Sequence, residues 1–63
     1  MSKFVELGFI IGDYVEIIDT KTVGQIKFIH IENRLDEFYP VYSIYSGVGD
    51  YIGTVKESQL REV

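Results

Sequence analysis

Sixty-three residues are enough for one domain and no more. A chain this short buries only about 60% of the surface its unfolded form exposes, so it depends on a dense core, a metal, disulfides or association. The absence of cysteine excludes disulfides and thiolate metal sites and fits a reducing compartment. Ten acidic against six basic residues leave a net charge of −4, which opposes a phosphate backbone and favours a basic protein partner.

Five Tyr and four Phe bring large buried area per residue, which suits a small core. The N-terminal stretch is apolar in places, but Glu6 interrupts it and no small-residue cleavage site follows. No apolar run approaches the roughly 20 residues of a transmembrane helix. The expectation is a soluble cytoplasmic protein away from membranes.

In chain order, residues 1–11 read as an N-terminal arm or an extra strand. Phe4, Val5, Leu7, Phe9 and Ile10 are costly to leave in water, which predicts partial order. Gly12-Asp13 opens a strand over Tyr14–Asp19, with Val15 and Ile17 on one face and Tyr14, Glu16 and Ile18 on the other. Residues 19–22 form a turn. The longest strand runs from Gln25 to about Glu32. Its apolar set changes phase between the pair Ile26 and Phe28 and the pair Ile29 and Ile31, which predicts a bulge or a strong bend. A turn or loop over Asn33–Glu37 leads to a third strand, Phe38–Ser46, in which Pro40 belongs near the start or on an edge. Gly47-Val-Gly-Asp50 is a hairpin connection with glycines available for positive φ. Tyr51–Lys56 is a fourth strand, residues 57–60 one helical turn, and residues 61–63 a short last strand. Five short strands without helical periodicity suit an all-β small barrel rather than a sandwich or a bundle.

Gly12-Asp-Tyr-Val-Glu-Ile-Ile-Asp19, followed by Val23-Gly-Gln-Ile26, resembles the opening of the KOW-type and other SH3-like barrels. The close, Ile52-Gly-Thr-Val-Lys-Glu-Ser-Gln-Leu60 and then Arg61-Glu-Val63, is similar to their last strand, single turn and terminal strand. Tyr39-Pro-Val41 is similar to the third strand of a group of small photosystem I proteins that shares that fold. The resemblance covers roughly residues 12–63. It implies one five-stranded SH3-like barrel over 1–63 with a single helical turn before the last strand. KOW domains bind RNA or ribosomal and transcription proteins. The proline-peptide groove of signalling SH3 domains is not carried over, because the Ala-Leu-Tyr-x-Tyr opening and any Trp are missing. A stand-alone barrel of this composition also looks like small phage and mobile-element proteins.

No motif points to catalysis, a metal or a cofactor. His30 and Glu32 share a strand face, and a metal site there needs a third ligand such as Asp36 or Glu37. The remaining acidic residues are spread along turns and strand ends. Gly47-Val-Gly49 lacks the strand–helix context and the Lys of a phosphate loop. The aromatic residues are more informative. Tyr42 and Ile44 lie on one face of the third strand, and Tyr39, Val41, Ser43 and Tyr45 on the other. So small a barrel cannot bury both faces, so Tyr39, Tyr42, Tyr45 and Tyr51 are the candidate partner-binding residues, with Asp36 and Glu37 steering a basic protein. This reading is a non-catalytic acidic interaction module, such as a phage or mobile-element regulator or inhibitor acting on a basic host protein. The alternative is a KOW-like RNA- or ribosome-associated domain using Lys21, Lys27 and Arg34. An open strand edge also leaves room for a homodimer.

Overall fold

Residues 6–63 are described by the computed structural model, and they form five antiparallel strands. These are β1 (Tyr14–Ile17), β2 (Thr22–Arg34), β3 (Glu37–Tyr45), β4 (Tyr51–Lys56) and β5 (Leu60–Glu62). A 3-10 turn, Glu57–Gln59, stands between β4 and β5. The protein is all-β, with its only helical turn among the described residues before the last strand.

The strand order is β4-β3-β2-β1-β5, so β4 and β5 are the two edges of one sheet. In a flat sheet, edges four strand spacings apart lie about 19 Å from each other. Lys56 and Leu60 end and begin those edges and are joined by only the three turn residues, a reach of at most about 14 Å. The sheet must therefore curl. Packing inside it agrees: a Cβ at Gly24 of β2 would lie 3.0 Å from Ile52 Cδ1 of β4, across the intervening strand. Ile18 N–H also donates to Gln59 O at 2.9 Å, tying the turn to the end of β1. No ladder joins β4 to β5 among the described residues, so the sheet is curled without being closed by hydrogen bonds.

The concave side holds the core. Val15 and Ile17 of β1, Ile26 of β2, Tyr42 and Ile44 of β3, Leu60 of β5 and Phe9 form one buried cluster, with Ile29, Ile52 and Val55 packed against it. Val15 and Ile17 share one face of β1, and Tyr42 and Ile44 one face of β3, as the two-residue period predicts, and both faces are turned to the core. Gly24 is required by this packing, since a Cβ there would also stand 2.6 Å from Ile44 Cγ2 and 2.8 Å from the Tyr45 carbonyl oxygen.

Several boundaries differ from expectation. β1 stops at Ile17, and Ile18 is exposed beyond it. β2 starts earlier and runs through Arg34, so the anticipated turn or loop at 33–37 contracts to Leu35-Asp36. Both residues take positive φ, 49° and 64°, and Arg34 pairs with Glu37 across them, the backbone of a type I′ hairpin turn. β3 accordingly begins at Glu37 and ends at Tyr45. Pro40 pairs with Ile31 one residue beyond the last β4 partner, Val41 with Lys56, so its missing N–H falls where β3 has a single neighbour. In the connection after β3 only Gly49 uses positive φ, at 95°, and not Gly47.

The expected bulge is present but one step earlier. The β2–β3 register shifts between Ile26 and Phe28, leaving Lys27 unpaired in the ladder and turning Phe28 outward. A second shift between Ile44 and Tyr45 leaves Ile52 of β4 without a cross-strand partner. Residues 6–11 form an arm with no strand, of which Phe9 docks in the core while Leu7 and Ile10 remain exposed. Phe4 and Val5 lie outside the described residues.

Candidate partner-binding face

The convex side of β2, β3 and β4 carries a set of aromatic groups that the core does not use. Cross-strand register builds it row by row. Tyr45 lies opposite Tyr51, Ser43 opposite both Phe28 and Thr54, Val41 opposite both His30 and Lys56, and Tyr39 opposite Glu32. Three rings meet at one end: Phe28 and Tyr45 have centroids 6.0 Å apart at 66°, and Tyr45 and Tyr51 5.4 Å apart at 63°. Both pairs are edge-to-face, the favoured arrangement for aromatic quadrupoles. Tyr45 is half-buried between its neighbours, while Phe28 and Tyr51 are 60% and 59% exposed.

Hydroxyls line the adjoining rows. Tyr51 Oη and Thr54 Oγ1 are 2.7 Å apart, and Ser43 Oγ and Thr54 Oγ1 3.1 Å apart, so the three side chains hold one another in place. Further along, Lys56 Nζ stands 5.1 Å from the Tyr39 ring centroid, a cation–π contact. Beyond Tyr39 the β2–β3 ribbon continues past the end of β4 to the Leu35-Asp36 turn, where Leu35 is 98% exposed.

The four anticipated tyrosines therefore divide. Tyr39, Tyr45 and Tyr51 lie on the convex face. Tyr42 belongs to the core instead, with 0% exposure, its ring edge-on to Phe9 at 5.6 Å. It occupies the Ile44 phase of β3, which faces inward. Its hydroxyl donates to Glu57 Oε1 at 2.7 Å, and the Gly8 N–H donates to the same oxygen at 2.9 Å. Burial, reinforced by the Glu57 carboxylate, pushes the Tyr42 phenol up from 10.0 to about 12. Asp36 and Glu37 are at the hairpin end, distant from the ring triad along β3.

Two residues absent from the sequence-based candidates belong beside them. Phe28 shares the phase of Ile26 by simple alternation, which predicts it inside. Its alternation with His30 and Glu32, both polar and on the same face, is the signal that places it outside. Tyr14 is 59% exposed on the same convex side, opposite Gln25, which in turn lies opposite Tyr45.

The cations proposed for RNA do not gather. Lys21 is in the β1–β2 turn, Lys27 at the bulge and Arg34 at the end of β2. Along an extended strand successive members are each about 20 Å apart. His30 Nε2 and Glu32 Oε1 are 3.9 Å apart, and among the described residues no group of three His, Asp or Glu side chains converges on a metal position. Among the described residues no helix is long and apolar enough to cross a membrane.

No protein-family model matches the chain, and neither a curated protein nor a solved structure does.

Proposed function

We propose that this chain is a non-catalytic protein-interaction module that binds its partner with the convex face of β2, β3 and β4. The observation that carries the reading is the Phe28–Tyr45–Tyr51 triad. Its rings fix one another on the solvent side of the sheet, and two of the three are more exposed than covered. Rigid, amphipathic rings held in a cluster are the residues that interfaces concentrate. The hydroxyls of Ser43, Tyr51 and Thr54 supply hydrogen-bonding capacity beside them.

The partner of this reading is a basic cytoplasmic protein. The chain carries −4, and Asp36 and Glu37 place carboxylates at the hairpin end of the same ribbon. Regulation or inhibition of that protein, the role of many small phage and mobile-element proteins, is the activity proposed. One observation favours the KOW-like RNA reading instead: Lys27 at the bulge stands next to exposed Phe28, and a ring beside a cation is the stacking recipe for single strands.

The test is capture of partners from a lysate of the source organism by the tagged protein and by its Phe28→Ala/Tyr51→Ala variant, with and without nuclease. A protein recovered in near-equal amount, insensitive to nuclease and lost with the variant, supports the interaction module. Ribosomal or transcription components that vanish with nuclease support the RNA reading.

A further inference from the structure

We infer that the step where the β2–β3 ribbon outruns β4 is a binding site for a nucleoside monophosphate, with Arg34 and Lys56 on its phosphate and Tyr39 against its base. The site is at the other end of the convex face from the ring triad and does not depend on the partner reading. β4 ends at Lys56, opposite Val41, and Tyr39, two residues nearer the hairpin, has no partner in β4. A cleft of about 450 Å³ fills this step, and its walls include Glu32, Arg34, Tyr39, Val41, Lys56 and Gln59. That volume is within the usual range of small-ligand sites. Register sets two cations on either side of one ring. Tyr39 lies opposite Glu32, with Arg34 its diagonal neighbour on β2 and Lys56 its diagonal neighbour on β4. Diagonal pairs stand about 7–8 Å apart, within reach of long side chains. Lys56 Nζ already extends to 5.1 Å from the ring centroid.

Charge selects the ligand. Among the described residues neither Arg34 nor Lys56 is in an ion pair, whereas Arg61 is held by Glu16. Lys21 and Lys27 stand outside the cleft. Gln59 adds a neutral donor: its Oε1 takes the Lys56 N–H at 3.2 Å, which leaves Nε2 for another acceptor. The one carboxylate lining the cleft is Glu32, whose Oε1 is 3.9 Å from His30 Nε2. Glu37, opposite Arg34, does not line it. Two cations against one carboxylate make the cleft locally positive in a chain of −4. The cleft on the other side of Tyr39 and Lys56 is lined by Glu6 and Glu57 and turns anions away. A phosphate monoester carries about −1.5 to −2 and accepts from several donors at once. The half-buried Tyr39 ring beside it gives a planar base a face to stack on. A single phosphate matches the two cations, whereas a longer strand would lay further phosphates over an acidic surface.

The test is titration of the whole protein with adenosine monophosphate at low salt, read by backbone amide chemical shifts. Adenosine, inorganic phosphate and a short oligoadenylate are titrated separately. Adenosine monophosphate is expected to give saturable shifts centred on Arg34, Tyr39 and Lys56 at millimolar concentration, with adenosine and phosphate alone much weaker. Arg34→Gln and Lys56→Gln should each weaken binding about tenfold. Glu32→Gln should tighten it, and Lys27→Gln should leave it unchanged, which separates a local site from the effect of total charge. All four positions are exposed, so these variants should keep the wild-type circular dichroism. Phe28→Ala/Tyr51→Ala should bind the mononucleotide as wild type does, so this site and the partner face fail separately. No saturable shift at Arg34, Tyr39 and Lys56, an equal response to adenosine, an equal loss with Lys27→Gln, or tighter binding of the oligoadenylate would each overturn the assignment.

Discussion

Tyr42 and Glu57 join the centre of the sheet to the turn that carries the chain from one edge to the other. The phenol donates to Glu57 Oε1 at 2.7 Å, and the same oxygen receives the Gly8 N–H of the N-terminal arm. One carboxylate thus anchors the core strand β3, the 3-10 turn and the arm whose Phe9 packs edge-on against the Tyr42 ring. Three segments distant in sequence meet at one carboxylate.

Replacing Tyr42 by Phe keeps the ring and removes the bond. Loss of a hydrogen bond to a charged group predicts a destabilisation of about 1.5–3 kcal/mol, read as a lower urea midpoint at unchanged slope. The phenol titrates higher in the fold than its 10.0 reference, at about 12, so its neutral form is the one the fold favours. Its contribution is fully present below pH 10 and is lost as pH rises through about 12. Wild-type stability should fall over that alkaline window more steeply than that of Tyr42→Phe. Equal slopes would show that Tyr42 is not the titrating group.

Gly24→Ala tests the close packing of β3 and β4 over β2. The added methyl would press on Ile44, the Tyr45 carbonyl and Ile52 at once, from two neighbouring strands. Overpacking of this kind predicts a loss of roughly 1–3 kcal/mol in chemical denaturation. An unchanged midpoint would mean that Ile44, Tyr45 and Ile52 do not stand this close to Gly24.

Leu35 holds φ at 49° with its side chain almost wholly in water. Asparagine tolerates that backbone better than leucine does and is the usual first residue of a type I′ turn. Leu35→Asn is therefore expected to stabilise the protein by about 0.5–1 kcal/mol. A destabilised variant would show that the leucine makes a compensating contact.

If the partner is basic, Glu37→Gln should slow association and weaken its dependence on ionic strength while leaving dissociation nearly unchanged, as measured by surface plasmon resonance. An effect confined to dissociation would place Glu37 inside the contact instead of at its rim.

Much of the fold is legible in the residues. Alternation groups Val15 with Ile17 and Tyr42 with Ile44 because a strand has a strict two-residue period, but it does not say which face of the third strand is turned inward. What alternation cannot supply is the position of a bulge. A shift of one residue, from after Phe28 to Lys27, moves Phe28 from core to surface and changes the composition of the candidate site. The same limit applies at Leu35-Asp36. A type I′ turn is normally announced by Asn-Gly, and a leucine in that backbone gives no such signal, so a two-residue hairpin reads as a five-residue turn or loop. Tyr42 is illegible for another reason. Tyrosine is chemically suited to either side of a sheet, and only the position of Glu57, fifteen residues on, explains how its hydroxyl is satisfied indoors.

The convex aromatic face as the partner surface is tested most directly by the Phe28→Ala/Tyr51→Ala protein in the nuclease-treated lysate capture, after its stability has been compared with wild type. Both rings are largely exposed, so the expected cost to folding is about 1 kcal/mol or less per ring. The predicted result is a folded variant that no longer retains the protein captured in near-equal amount by wild type. A folded variant that retains the same protein in the same amount would contradict it.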